Sequence, residues 1–184
     1  MPRRVPSRLI CQSSTAAGTQ TNVIVTFNPT TTGPRTTTLR VLSNDATRGT
    51  IDVTLTGRLL TAIENWRKIY FGSIANSGNG GDLNDYKKDG TVNLLKFAFG
   101  LNPVLNTPGQ IPQPQRSGTN FVASFIQPSG VSGITYGAEW STTLLNGSWT
   151  PIPDTGSGAQ HTFSLAIGTV PKLFMRLKVT DPNP

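Results

Sequence analysis

Thr36-Thr37-Thr38-Leu39-Arg40-Val41-Leu42 and, after a polar break, Ile51-Asp52-Val53-Thr54-Leu55-Thr56-Gly57 alternate apolar and polar residues with a period of two. Leu39 and Val41 share one face, with Thr38 and Arg40 on the other. Ile51, Val53 and Leu55 likewise oppose Asp52, Thr54 and Thr56. That period belongs to a β-strand, whose side chains point alternately to two faces. Upstream, Asn22-Val23-Ile24-Val25-Thr26-Phe27 repeats the pattern, with Val23, Val25 and Phe27 together. Asn28 to Pro34 and Ser43-Asn44-Asp45 read as the turns between them. The expectation is three strands forming half a β-sandwich, with one apolar face left to cover.

The same period returns near the C-terminus. Residues 121–126, 134–141, 149–152, 161–166 and 173–180 read as five short strands of a small antiparallel sandwich. In the last, Leu173, Met175, Leu177 and Val179 alternate with Phe174, Arg176 and Lys178. The 184 residues include 26 Thr, 19 Gly and 14 Pro, a composition of strands and turns rather than of a helical bundle.

Between the two β regions the period switches to that of a helix. Thr61-Ala62-Ile63-Glu64 has the form of a capping box, Ile63, Trp66 and Tyr70 recur at helical spacing, and Gly72 is placed to end the helix. Residues 73–82 read as a loop. Residues 93–99 read as a second short helix, with Gly100 at its end and Pro103 beyond. Residues 103–118 hold four prolines and read as a semi-extended linker.

One motif carries chemistry. In Asp85-Tyr86-Lys87-Lys88-Asp89-Gly90-Thr91-Val92-Asn93-Leu94-Leu95-Lys96, Asp85 at position 1 of a calcium loop puts Asp89 at 5 and Gly90 at 6. The Thr91 carbonyl then falls at 7 and Asn93 at 9. Lys87 and Lys96 stand at positions 3 and 12, where carboxylates are expected, and an ammonium cannot ligate a cation. A unit charge about 4 Å from another like charge is repelled by roughly 4 kcal/mol at an effective dielectric near 20. Two readings follow. Asp85, Asp89, Thr91 and Asn93 hold calcium, or the lysines pair with Asp85 and Asp89 in place of the ion. The second is preferred, and no other cofactor is called for.

Three resemblances run along the chain. Val25-Thr26-Phe27-Asn28-Pro29, Gly33, Thr38-Leu39-Arg40-Val41, Ser43-Asn44-Asp45 and Thr54-Leu55-Thr56-Gly57 resemble the C-terminal half of an ASH/Hydin-type immunoglobulin-like repeat of bacterial choice-of-anchor D proteins. Trp66-Arg67, Phe71-Gly72, Gly81-Asp82, Asp89-Gly90, Asn93-Leu94-Leu95, Phe97-Ala98, Gly100 and Asn102-Pro103 resemble a calcium-loop segment of Verrucomicrobia-type surface proteins. That segment is similar to dockerin and thrombospondin type 3 loops. Residues 136–144, 149–151 and 173–180 resemble the terminal β-domain of the same proteins. Val is usual there where Ala138 and Trp140 stand, and an acidic residue is usual near Thr143.

The resemblances imply a mainly β chain: a truncated immunoglobulin-like sheet, a short helical segment and a small antiparallel β-sandwich. The implied domains are a partial immunoglobulin-like domain at 1–60, a helix–loop–helix calcium-loop segment at 61–103, a linker at 104–118 and the sandwich at 119–184. They also imply a fragment of a longer extracellular or cell-surface protein, with other domains of that protein or cell-surface components as partners. The expected role is non-catalytic: structural, anchoring or adhesive. The alternative is an accessory carbohydrate-binding module of a polysaccharide-degrading enzyme, with Trp66, Trp140 and Trp149 as candidate sugar platforms.

Composition argues against several other classes. One Cys and one His exclude a disulfide scaffold and a multi-histidine metal centre within this chain. Cys11 reads as a free thiol. The net charge of +7 is concentrated before residue 69 without an aromatic-studded basic face, so nucleic acid is not an expected partner. No stretch approaches the ~20 apolar residues needed to span a bilayer, and no apolar core of roughly 7–15 residues follows Met1, so no signal peptide is expected from the pattern. His161 reads as a strand-surface histidine, and Asp82 and Asp85 as part of the loop rather than a glycosidase pair.

Overall fold

The computed structural model describes residues 19–20, 22–169 and 171–182. The calls on Cys11 and on the first eight residues lie outside the described residues. The chain forms two compact units, Met1–Leu59 and Leu60–Pro184.

In the first unit, β1 (Gly33–Leu42) pairs antiparallel with β2 (Thr50–Leu59) in the register Leu39↔Val53 and Val41↔Ile51. The period-2 expectation holds for both. The break between them closes on Asp45, whose Oδ1 accepts from the Thr47 and Arg48 amides at 2.7 and 3.1 Å. These hydrogen bonds, led by the Thr47 hydroxyl, hold the Asp45 carboxyl below its ordinary value. On the polar face Arg40 grips Asp52 through two bonds of 2.7 Å.

The third expected strand is corrected: residues 22–27 join no sheet, and among the described residues of this unit there are two strands. Alternation specifies which side chains share a face but supplies no backbone partner. Ile24 stays 85% exposed, and the Phe27 ring lies against Gly57, where a side chain would collide with it.

The second unit begins with α1 (Ala62–Phe71). Both halves of its capping box form: the Glu64 amide donates to Thr61 Oγ1 at 3.2 Å and the Thr61 amide to Glu64 Oε2 at 2.9 Å. Gly72 closes the helix at φ 73° and donates its N–H to the Lys68 carbonyl. A short 3₁₀ turn, Gly78–Gly80, precedes the loop that leads to α2 (Asn93–Ala98).

Six further strands follow: β3 (Gln115–Ser117), β4 (Asn120–Ile126), β5 (Thr135–Ser141), β6 (Thr150–Ile152), β7 (Gln160–Ala166) and β8 (Phe174–Thr180). They make two antiparallel three-stranded sheets, ordered β3-β4-β7 and β6-β5-β8. The mainly β fold class is therefore the observed one. The sequence pattern missed β3, which lies in the stretch read as a linker. Gly118, at φ 59°, supplies the left-handed residue that turns this strand back into β4.

Two cores meet at α2. Phe97 packs with Ile63 and Val131, and its neighbour Ala98 packs with Tyr136, Ala138, Ile152 and Phe163 between the sheets. Adjacent helical residues point about 100° apart, so one short helix feeds both clusters. The Tyr136 hydroxyl donates to the Ala98 carbonyl, one of the last carbonyls of α2 without a helical partner. Burial pushes that phenol up to about 12. The segment 61–103, the proline-rich stretch and the sheets lie in the same compact unit.

Candidate functional site

Asp85 and Asp89 turn the loop between the helices. The Asp85 carboxylate accepts from the Asp89 amide at 3.1 Å and the Gly90 amide at 2.7 Å. Gly90 takes φ 83°, the sharp turn that position demands, and Lys88 also lies in the left-handed region at φ 53°. Asp89 turns inward. Its Oδ1 accepts from the Thr91 amide at 3.1 Å. Its Oδ2 accepts from Lys96 Nζ at 2.7 Å and from the Thr107 amide at 2.8 Å.

Neither the Lys96 nor the Asp89 side chain has any exposed surface. The ammonium completes its contacts on the Leu105 carbonyl at 3.3 Å. First the Lys96 hydrogen bond and then the Thr107 amide hold the Asp89 carboxyl far below the usual carboxylate range.

Thr91 is buried at 5% exposure. Asn93 is buried too; its side-chain Nδ2 donates to the Asn79 and Gly81 carbonyls at 2.8 and 2.9 Å, while its Oδ1 is buried without a hydrogen-bond partner. Of the lysine–aspartate pairs expected, Lys96 with Asp89 is present, while Lys87 lies exposed and Asp85 accepts from the Asp89 and Gly90 amides. A divalent cation does not fit this arrangement as it stands. The Asp89 oxygen it would need already carries the Lys96 ammonium.

The stretch read as a semi-extended linker contributes to the site. Thr107, in the middle of it, is 5% exposed and donates its N–H to the buried carboxylate. Proline-rich segments still carry N–H groups between their prolines, and this one is used.

A second buried ion pair was not anticipated from sequence. Arg67 Nη2 lies 2.5 Å from Asp82 Oδ1 and 3.8 Å from Asp181 Oδ2, tying α1 to the chain that leaves β8. Asn76 holds Asp82 from the other side, donating Nδ2 to its Oδ2 at 3.0 Å and accepting its amide at 2.8 Å. The signal was present: Arg67 follows Ile63 by four residues and so lies on the buried face of α1. An open groove of about 540 Å³ runs beside this pair, lined by Asn76, Asp82, Asn84, Leu94 and Asp181 among others. Asp82 is thus engaged with Arg67 rather than paired with Asp85.

His161 is less exposed than the expected strand-surface residue, with 15% of its side chain accessible. Its ring lies 4.7 Å from Tyr136 and 5.2 Å from Phe125, between centroids. Nδ1 is 2.6 Å from Asp154, and Nε2 faces Gln127 Oε1 at 3.3 Å. Burial opposes ionisation of Asp154, yet hydrogen bonds from the Thr162 amide, His161 and the Gly156 amide together hold its carboxyl below its ordinary value. Through these two contacts His161 on β7 joins the connection after β6 to the connection after β4.

The tryptophans are engaged within the fold. Trp149 lies under the Arg176 guanidinium, 3.8 Å from the ring centroid, and Arg176 also bonds Glu139 at 2.6 Å. Trp140 packs on the sheet core, and Trp66 makes edge contacts with Tyr70, Phe71 and Phe97.

Among the described residues, no group of three or more His, Cys, Asp or Glu side chains is placed to hold a metal. Among them, too, no helix is long and apolar enough to cross a membrane. No family model matches the chain, nor does any curated protein or solved structure.

Proposed function

We propose that this chain is a non-catalytic structural module of a bacterial extracellular or cell-surface protein, serving in spacing, anchoring or adhesion. In this reading its partners are further domains of a longer chain or surface components. A calcium-type loop has become a metal-free joint. The observation that carries the reading is the fully buried Asp89–Lys96 pair, in which an ammonium takes the place of ion charge. In calcium-dependent modules the loop orders the flanking helices when the ion binds. Here a side chain from α2 supplies that charge permanently, so the joint between α1 and α2 is independent of the cation.

Calorimetric titration of the whole chain with calcium tests the loop. The expected result is no binding with a dissociation constant below about 1 mM, the weak end for extracellular modules. Tighter binding would overturn the metal-free joint. The carbohydrate-binding alternative is less well supported, because the Trp149 face that a sugar ring would stack on carries Arg176.

A further inference from the structure

In the second unit, the connections between strands fall at two ends of the β-sheets. The Gly118-Thr119 turn, the loop between β5 and β6 and the connection from β7 to β8 share one end. Ser141 pairs with Phe174, Asn120 pairs with Ala166, and the Ile167 amide bonds the Thr119 carbonyl at 2.9 Å. The helical segment lies towards the other end, through Asp181, which follows β8.

The tip of the β5–β6 loop is Leu144-Leu145, 55% and 67% exposed. Single exposed leucines are ordinary, but two in succession at a loop apex make a local apolar spike. The spike is held in place. Ser141 Oγ accepts from the Thr143 and Leu144 amides and sits 2.7 Å from Ser148 Oγ, which itself donates to the Leu145 carbonyl. Leu144 takes φ 65°, a left-handed conformation uncommon for leucine.

The same loop ends in Trp149 under Arg176. At this end Arg116 is exposed on β3, two residues before the Gly118 turn, and Lys172 is exposed on the connection from β7 to β8. The described residues among 116–120, 141–150 and 167–174 include no Asp or Glu. Asp154 and Asp181 lie on the connections at the opposite end.

We propose that this end of the sheets docks onto an anionic lipid surface, with Leu144 and Leu145 entering the headgroup boundary and Arg116 and Lys172 facing the lipid charge. Apolar side chains at a fixed tip and exposed cations beside it are the features such a contact uses; Trp149 is covered by Arg176, which Glu139 neutralises, and takes no part. The inference does not depend on the fate of the calcium-type loop.

The test is co-sedimentation of the full chain with phosphatidylcholine vesicles, with and without phosphatidylglycerol. The variant is Leu144→Asn with Leu145→Ser, because asparagine tolerates the left-handed conformation and both side chains are exposed. The expected result is partitioning onto the phosphatidylglycerol vesicles only. It should weaken at least tenfold in the variant and also at high salt, with the thermal midpoint unchanged. No partitioning, equal partitioning onto both vesicles, or partitioning unchanged in the variant would overturn the proposal. So would concentration-dependent dimerisation that the variant abolishes, since a second copy would then be the occupant.

Discussion

Replacing Lys96 by methionine tests the packing argument most directly. Methionine keeps most of the length of the lysine stem and removes the ammonium. Lys96 is 0% exposed, so water cannot replace the lost partner without opening the joint. Breaking a buried pair by removing one member costs about 3–5 kcal/mol, mostly because the other charge is stranded. Here the stranded carboxylate keeps the Thr91 and Thr107 amides, which places Lys96→Met near 3 kcal/mol, at the low end of that range. That is roughly a hundredfold in the folding equilibrium, at about 1.4 kcal/mol per tenfold. Urea unfolding followed by tryptophan fluorescence reads it directly, since Trp66 packs against Phe97, the residue after Lys96. Asp89→Asn alone strands the ammonium on the Leu105 carbonyl and is also destabilising. Combining the two removes both charges and leaves an amide oxygen for the Thr107 N–H, so the double variant should lose clearly less than the sum. A cost for Lys96→Met below about 1 kcal/mol, or strictly additive singles, would refute the reasoning.

Two further outcomes follow from the same contacts. Because the Asp89 carboxyl lies below its unfolded value, its contribution to stability is complete above about pH 4 and is lost as the pH falls through the lower folded value; thermal midpoints measured down an acid series should show this loss, and Asp89→Asn should flatten it. Tyr136 is raised to about 12, so its contribution is complete below the ordinary tyrosine value near 10 and fades as pH rises towards 12; spectrophotometric titration should show one of the three tyrosines ionising late, and Tyr136→Phe should remove that late step and cost about 1–3 kcal/mol by orphaning the Ala98 carbonyl.

Much of the local structure was legible because its causes are local. The Thr61–Glu64 box, Gly72 and Gly90 act within a few residues, and each performs the role its spacing implies. The alternation of β1, β2, β4, β5, β7 and β8 names the side chains that share a face. It also promised a strand at 22–27 that has no partner, because pattern states a preference while a ladder needs an edge to bond.

The site was legible in composition but not in geometry. The residues at the loop positions, and the two lysines that depart from the pattern, could be read directly. Which lysine turns inward could not, since that depends on α2 burying position 96 beside Phe97 and Ala98 while position 87 falls on the outer turn of the loop. The Thr107 amide reaches Asp89 from eighteen residues away, and Asp181 reaches Arg67 from the far end of the chain.

Thus short-range order (caps, turns, strand period and the positions of the charges) was written into the linear chain, because hydrogen bonds between near neighbours decide it. Whether each charge met solvent, an amide or an opposite charge was decided only by folding. The energy of an ion depends on how completely water is removed, and burial is a property of the assembled structure.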